Sequence, residues 1–191
     1  MRLAIGSAVQ RRHPLPRLWL MTDERQGDAL WPAIDALPRG SGIVVRHHNL
    51  AGSERRDLAK KVRKAAKRRR LAVILAGTEK ETIAVAADGF HRRSAHIGAA
   101  RLIRTIAVHN PRELALAHRI DADLVFLSPV YPTRSHPGGR ALGRVRFGLL
   151  ARRSRIPIIA LGGMTAKRAR SLRGFGIYGW AAIGELTPDG A

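Results

Sequence analysis

The sequence predicts a compressed (β/α)₈ barrel, and three observations predict it. Strand-like and helix-like stretches alternate along the chain through about eight units. The strand-like stretches are short continuous apolar runs, the pattern of parallel strands buried on both faces. One of them, Ile156–Leu161, runs directly into Gly162-Gly163 and then into Thr165, a plausible N-cap for a helix. Alternation of this kind implies parallel pairing with right-handed crossovers. Eight units close into a barrel, and a doubly wound open sheet is the competing arrangement. Such barrels usually take about 200 residues or more, so a chain of 191 residues must be economical. Glu185–Ala191 is too short for a final helix. The division expected is an N-terminal arm over residues 1–17 and one barrel domain over 18–191, with the arm or a second subunit covering strands eight and one.

In chain order, Leu18–Asp23 is a compact apolar strand ending in polar residues, and Asp28–Leu37 a short helix with Leu30, Ile34 and Leu37 on one face. Gly42–Val45 is the next strand. Ser53–Arg70 is the clearest helix, with Ser53 as N-cap and Leu58, Val62, Ala65 and Ala66 facing inward. Its outer face is almost wholly Lys and Arg, a solvated face with cations toward the C-terminal end. Leu71–Ala76, Gly89–His91, Ile103–Val108, Asp123–Val130 and Tyr178–Ile183 complete the strands. Glu79–Ala87, Pro111–Ile120, Arg144–Arg153 and Ala166–Phe175 complete the helices, Pro111 falling suitably in a first turn.

Composition narrows the function classes. There is no cysteine, which excludes disulfides and thiolate metal sites. No run approaches the length of a membrane span, and residues 1–17 lack the apolar block of a signal peptide, so a cytoplasmic protein without membrane partners is expected. Lys and Arg number 35 against 14 Asp and Glu, a formal charge of +21. That excess favours phosphorylated small molecules, nucleic acid or anionic surfaces. The basic helix brings no aromatic platform for stacking bases, so nucleic acid is the secondary expectation. The Gly162-Gly163 turn leaves backbone N–H groups beside a helix start, a site suited to phosphate. A tight turn that needs glycine only for its dihedrals is the plain alternative.

Five stretches taken together resemble one family: Leu18–Asp23, Asp88-Gly89-Phe90-His91, Asp123–Thr133 (with Ser-Pro-Val-Tyr-Pro-Thr), Ile156–Thr165 (with Ile-Ala-Leu-Gly-Gly-Met-Thr) and Gly179–Ile183. In this order and spacing the chain resembles thiamine phosphate synthase and its sister group, the thiazole tautomerase-like proteins. The resemblance implies a barrel and a transferase that joins a pyrimidine pyrophosphate to a thiazole phosphate, with Mg²⁺ neutralising the departing pyrophosphate. It implies a phosphate site at Gly162, Gly163, Ile183 and Gly184, and substrate contacts at Arg46, His48, Thr133, Ser135 and His136.

The chain departs from the family pattern at most other site positions. After strand two, Gln-x-Arg-x-Lys falls on Val44, Arg46 and His48. After strand three, an Asn-Asp pair falls on Ala76-Gly77, and the next acidic ligand falls near His96. After strand five a serine falls on Ala107, and the lysine of the strand-six loop falls on His136. The tautomerase histidine falls on Pro129, which moves no proton. The phosphate half is kept while the metal half is stripped, with Asp23 the remaining nearby carboxylate. No metal ligand set and no resident cofactor are expected, and Mg²⁺ only where synthase activity is retained. Arg46, His48, Arg92, Arg93, His96, Arg134 and His136 in loop ends are candidates to replace the ion. The functional expectation is a synthase-like phosphate-ligand barrel with weak or absent Mg²⁺-dependent activity. The alternatives are a non-catalytic phosphate-ligand binder on the same scaffold and a basic nucleic-acid-associated protein.

Overall fold

The computed structural model of the chain describes residues 14–92, 102–133 and 138–188. Eight parallel strands close into a barrel in sequence order: β1 Leu18–Met21, β2 Gly42–Val45, β3 Ala72–Leu75, β4 Gly89–His91, β5 Ile103–Val108, β6 Leu124–Leu127, β7 Ile158–Ala160 and β8 Gly179–Ala182. The ring is completed by β1 beside β8, with Leu18 opposite Trp180 and Leu20 opposite Ala182. The open-sheet alternative is thereby excluded. Helices α1 Leu30–Ala36, α2 Gly52–Arg69, α3 Glu79–Ala84, α4 Pro111–Arg119, α5 Gly143–Arg153 and α6 Ala166–Ser171 form the outer layer.

Strand alternation sorts the core into layers. Trp19, Met21, Val44, Ile74, Leu124, Phe126, Ile159 and Ala181 fill the barrel interior. Residues of opposite parity face the helices in two outer clusters, one around β1–β3 with α1 and α2, the other around β5–β7 with α4 and α5. Trp19 and Phe126 meet edge to face, with ring centroids 5.5 Å apart. The register partner of Trp19 is Gly42, where an added Cβ would run into the indole ring. A large side chain against a glycine is how so small a barrel fits an indole inside.

The economy of length comes from short elements. Strands are three to six residues long, and α3 and α6 have six each. After β8 the chain forms a 3-10 turn, Gly184–Leu186, whose Leu186 packs against the β1–β3 cluster. Gln26 Nε2 donates to Thr187 Oγ at 2.8 Å, tying the chain after β8 to the chain after β1. Part of the predicted arm belongs to the barrel. Leu15 packs against the interior cluster, Tyr178 Oη donates to its carbonyl at 2.6 Å, and Trp19 Nε1 donates to Pro16 O at 2.8 Å.

Two helix starts differ from expectation. The N-cap of α2 is Ala51 rather than Ser53, because Glu54 Oε2 accepts from the Ala51 N–H at 3.1 Å and draws the helix start back to Gly52. Of its expected inner face, Val62 and Ala66 are buried together with Ala59, while Leu58 and Ala65 are half-buried. The expected helix Asp28–Leu37 starts as α1 only at Leu30, and before it the chain forms a 3-10 stretch, Glu24–Ala29, capped by Asp23 and kinked within at Gly27. Truncating Phe126 to alanine leaves a cavity at the barrel centre and lowers unfolding free energy by about 3–5 kcal/mol, to be read by chemical denaturation.

Candidate functional site

The C-terminal ends of the strands surround a cavity of about 770 Å³. Arg46, His48, Thr133, Gly162, Gly163, Ile183 and Gly184, drawn from four different strand ends, all line it. Ser135 and His136 lie outside the described residues, as do Arg93, His96 and Arg134. Arg92 is not among the lining residues; its N–H continues the β4 ladder to Thr105 O at 3.1 Å.

One wall is backbone. Gly162 and Gly163 follow β7 with φ of 96° and 59°, a region that disfavours side chains. A Cβ on Gly162 would stand 2.6 Å from Pro129 Cα, and one on Gly163 2.6 Å from Pro132 O. The turn is therefore pressed against the loop after β6, where Val130 N–H donates to Leu161 O at 2.9 Å and Tyr131 N–H to Gly162 O at 3.1 Å. Glycine is required here both for dihedrals and for close approach. With the carbonyls so used, the N–H groups of Gly162 and Gly163 meet no acceptor among the described residues. Arg168 stands beside them, donating to Gly163 O and lying 4.5 Å over the Tyr131 ring.

The opposite wall is built of charged side chains. Asp23, just past β1, is buried and receives Arg25 Nε at 2.6 Å on one oxygen and Arg46 Nη2 at 3.1 Å on the other. The Arg25 hydrogen bond leads, against a smaller opposing effect of burial, in holding this carboxyl below the ordinary aspartate range. Thr22 Oγ accepts the Arg46 N–H at 3.0 Å and pairs with Nδ1 of the buried His47 at 2.9 Å, fixing the chain as it leaves β2. Burial lowers the His47 pKa. His48 stands exposed at the rim, and partial burial of its ring with the Arg46 and Arg55 charges lowers its pKa too. Both imidazoles are thus neutral at pH 7, and the positive charge at this wall is that of the guanidinium groups.

Sequence reasoning missed several lining residues: Arg25, His91, His109, Ser128, Arg140, Arg168 and Glu185. His109 Nδ1 lies 2.7 Å from Ser128 O, which requires the proton on Nδ1 and leaves Nε2 as the basic nitrogen. The available signal was position: His91 ends β4, His109 follows β5 and Ser128 follows β6, the places that face the mouth of a parallel barrel. Asp23 also proves not to be the sole acid near the mouth, since Glu185 lines the cavity.

A divalent ion was tested against this donor set. Among the described residues no group of three or more His, Asp or Glu is arranged to hold a metal. Four mouth-side carboxylates are committed elsewhere, Asp23 to two arginines, Glu24 to Asn49 N–H, Glu81 to Thr78 and Arg55, and Glu113 to His109 N–H, while Glu185, which lines the cavity, belongs to no ligand group among the described residues. The stretches 93–101 and 134–137 contain no Asp or Glu. The residues present do not fit a carboxylate Mg²⁺ site.

A closed parallel barrel with one backbone wall and one guanidinium wall at its C-terminal mouth places the chain among the (β/α)₈ barrel proteins. The comparisons narrow the class: the family model described as thiamine monophosphate synthase matches residues 19–186, and the chain belongs to that family. The thiamine-phosphate synthase of Methanospirillum hungatei is 28% identical over 187 residues, covering 90% of this chain and 91% of that protein. That of Bacillus velezensis is 29% identical over 160 residues, covering 78% and 68%. In structure, the thiamine phosphate pyrophosphorylase of Pyrococcus furiosus superposes with a TM-score of 0.75 at 22% identity, covering 91% and 89%. A 3-hexulose-6-phosphate synthase shares the fold with a TM-score of 0.64 at 13% identity, covering 88% and 90%. No helix among the described residues is long and apolar enough to cross a membrane.

Two measurements check this geometry. Gly162→Ala forces a side chain into a strained conformation against Pro129 and costs about 1–3 kcal/mol of stability, seen as a lower denaturation midpoint. Asp23→Asn also destabilises at pH 7. Because the folded carboxyl has a depressed pKa, its stabilisation is complete above the unfolded value of about 3.9 and is lost as the pH falls through the folded one. The stability gap between wild type and Asp23→Asn therefore narrows in acid below about pH 4, whereas a gap independent of pH would show that ionisation is not its source.

Proposed function

We propose that the chain is a synthase-like protein of thiamine biosynthesis whose cavity binds a thiazole phosphate-type ligand through the Gly162-Gly163 and Ile183-Gly184 turns. Family membership supports the thiamine role. The unpaired N–H groups at Gly162 and Gly163, with Arg168 alongside, suit a phosphate monoester, since backbone donors and a fixed cation hold its oxygens with little reorganisation.

One observation carries the second half of the proposal: Asp23, the carboxylate the sequence left as the candidate near the mouth, is clamped between Arg25 and Arg46. Each of its oxygens already faces a guanidinium group, and those two positive charges oppose a metal ion there. Any second anionic group entering this wall therefore meets Arg46 and Arg25 rather than Mg²⁺. Departure of pyrophosphate in a synthase reaction needs strong charge stabilisation. One lost contact of that kind typically slows a reaction about 10²–10³-fold. Mg²⁺-dependent coupling of the pyrimidine pyrophosphate with the thiazole phosphate is accordingly weak or absent. A phosphate-ligand binder without turnover is the second reading, favoured by the same clamp.

Thermal-shift titration tests binding. At about a hundred times its dissociation constant, a phosphorylated thiazole adds about 2.7 kcal/mol to stability, while the unphosphorylated alcohol adds little. A coupling assay with both substrates, with and without Mg²⁺, tests the chemistry beside Arg46→Ala. Turnover that is indifferent to Mg²⁺ and lost in Arg46→Ala identifies the guanidinium as the charge that replaces the metal. Robust Mg²⁺-dependent turnover overturns the stripped-metal reading. No stabilisation by any phosphorylated heterocycle overturns the site itself.

A further inference from the structure

We propose that the end of the barrel opposite the cavity is a docking face for double-helical nucleic acid, gripped through its phosphates without sequence readout. The topology puts every turn leading into a strand at this end. In and around those turns stand exposed Arg39 before β2, Arg68 and Arg70 before β3, Arg119 before β6, Arg155 before β7 and Arg173 before β8. None of the six has an ion-pair partner among the described residues. The exposed acids of this end reduce to Asp35 and Asp121, since Asp88 and Asp123 are part-buried beside Arg63 and Arg104 and accept from strand N–H groups.

At the mouth end the cations stand among acids. All six glutamates of the chain, Glu24, Glu54, Glu79, Glu81, Glu113 and Glu185, lie in first turns there. The acids are thus gathered toward the mouth, and the cations of the opposite end have few neighbours of opposite sign. Helix dipoles account for part of this, because they favour acids in first turns and cations in last turns. That benefit fades within the last turn, yet Arg39 lies three residues beyond the end of α1 and Arg155 two beyond α5. Those two gain nothing from capping, and the six together gain nothing from pairing. They repel one another, so they cost stability unless a polyanion covers them.

The chemistry of the face selects the polyanion. Arginine presents a planar fork matched to phosphate. A duplex displays one negative charge per about 1.7 Å of its axis, enough to meet several cations of a ring at once. Single strands are bound largely by stacking on aromatic rings. Here Tyr178 is covered by Arg17, 4.6 Å from its centroid, and Phe175 is packed into the core. Stable membrane association adds apolar insertion to charge. The exposed large apolar residues among those described are Val145 in the first turn of α5, Leu149 near its middle and an isolated Ile83 on α3, so the turns of this face offer a bilayer no anchor.

The test is binding of a short mixed-sequence DNA duplex by fluorescence anisotropy, from about 50 to 200 mM salt. Wild type is compared with Arg68→Gln/Arg155→Gln/Arg173→Gln and with Lys80→Gln/Arg112→Gln/Arg146→Gln, which removes equal charge near the mouth-side ends of α3, α4 and α5. All six side chains are exposed, and an unchanged melting temperature shows that each variant folds; Arg39→Gln/Arg155→Gln, confined to loops, serves where the first triple does not. The expected result is an affinity that falls steeply with salt, by about 0.9 in log–log slope per phosphate contacted. The first triple lowers that slope by about 3, while the mouth-side triple leaves it close to wild type. No binding at low salt, equal loss in both triples, or tighter binding to phosphatidylserine vesicles than to the duplex overturns the proposal.

Discussion

Closure of the ring is the constraint from which the rest follows. β1 and β8 are separated by nearly the whole chain, yet pair in register from Leu18–Trp180 to Leu20–Ala182. A parallel sheet left open would expose two rows of unpaired N–H and C=O groups. Closing it removes both edges, and it also decides the chemistry. Arg25 follows β1, Arg46 follows β2 and Gly184 follows β8, so the two walls of the cavity face each other only because the first strand meets the last. The small size of the barrel tightens this demand. Trp19 must lie over Gly42, and Gly162 must lie against Pro129, with no room for a methyl group at either place.

The strands were legible in the sequence because burial on both faces leaves no polar alternation to misread. Gly42–Val45, Gly89–His91 and Ile103–Val108 match the observed strands residue for residue, and the others are trimmed by two to four residues in all. Helix starts were less legible, because a cap is a contest between side chains. Ser53 is a better capping residue than Ala51, but the Glu54 carboxylate reaches back to Ala51 N–H and decides the start. The 3-10 stretch after β1 was invisible for a related reason: Asp23, which caps it, was read as a possible metal ligand rather than as part of the backbone.

In the site, the glycine turns could be read from local sequence, since their requirement is local. The charged wall could not. That Asp23 is neutralised by Arg46 depends on a residue 23 positions away in a neighbouring strand end, and that His48 is neutral depends on burial and on nearby arginines. A list of basic residues in loop ends counted imidazoles and guanidinium groups alike. At this wall the charge at pH 7 is that of the guanidinium groups, because pKa values lowered from 6.5 leave the rings of His47 and His48 mostly unprotonated.

The two walls also differ in how sequence change can reach them. The Gly162-Gly163 wall presents N–H groups, which no substitution removes without inserting a proline, and its shape is fixed by contacts with Pro129 and Pro132. The Asp23 wall is made of side chains and is rewritten by single substitutions. A barrel of this family can therefore lose or exchange the charges around one anionic group while the grip on the other persists. Loss of a lone metal carboxylate would leave arginines at the mouth repelling one another. Placing Asp23 between Arg25 and Arg46 removes that repulsion and holds both guanidinium groups at the cavity edge. The charges of the clamp thus balance one another without a metal ion.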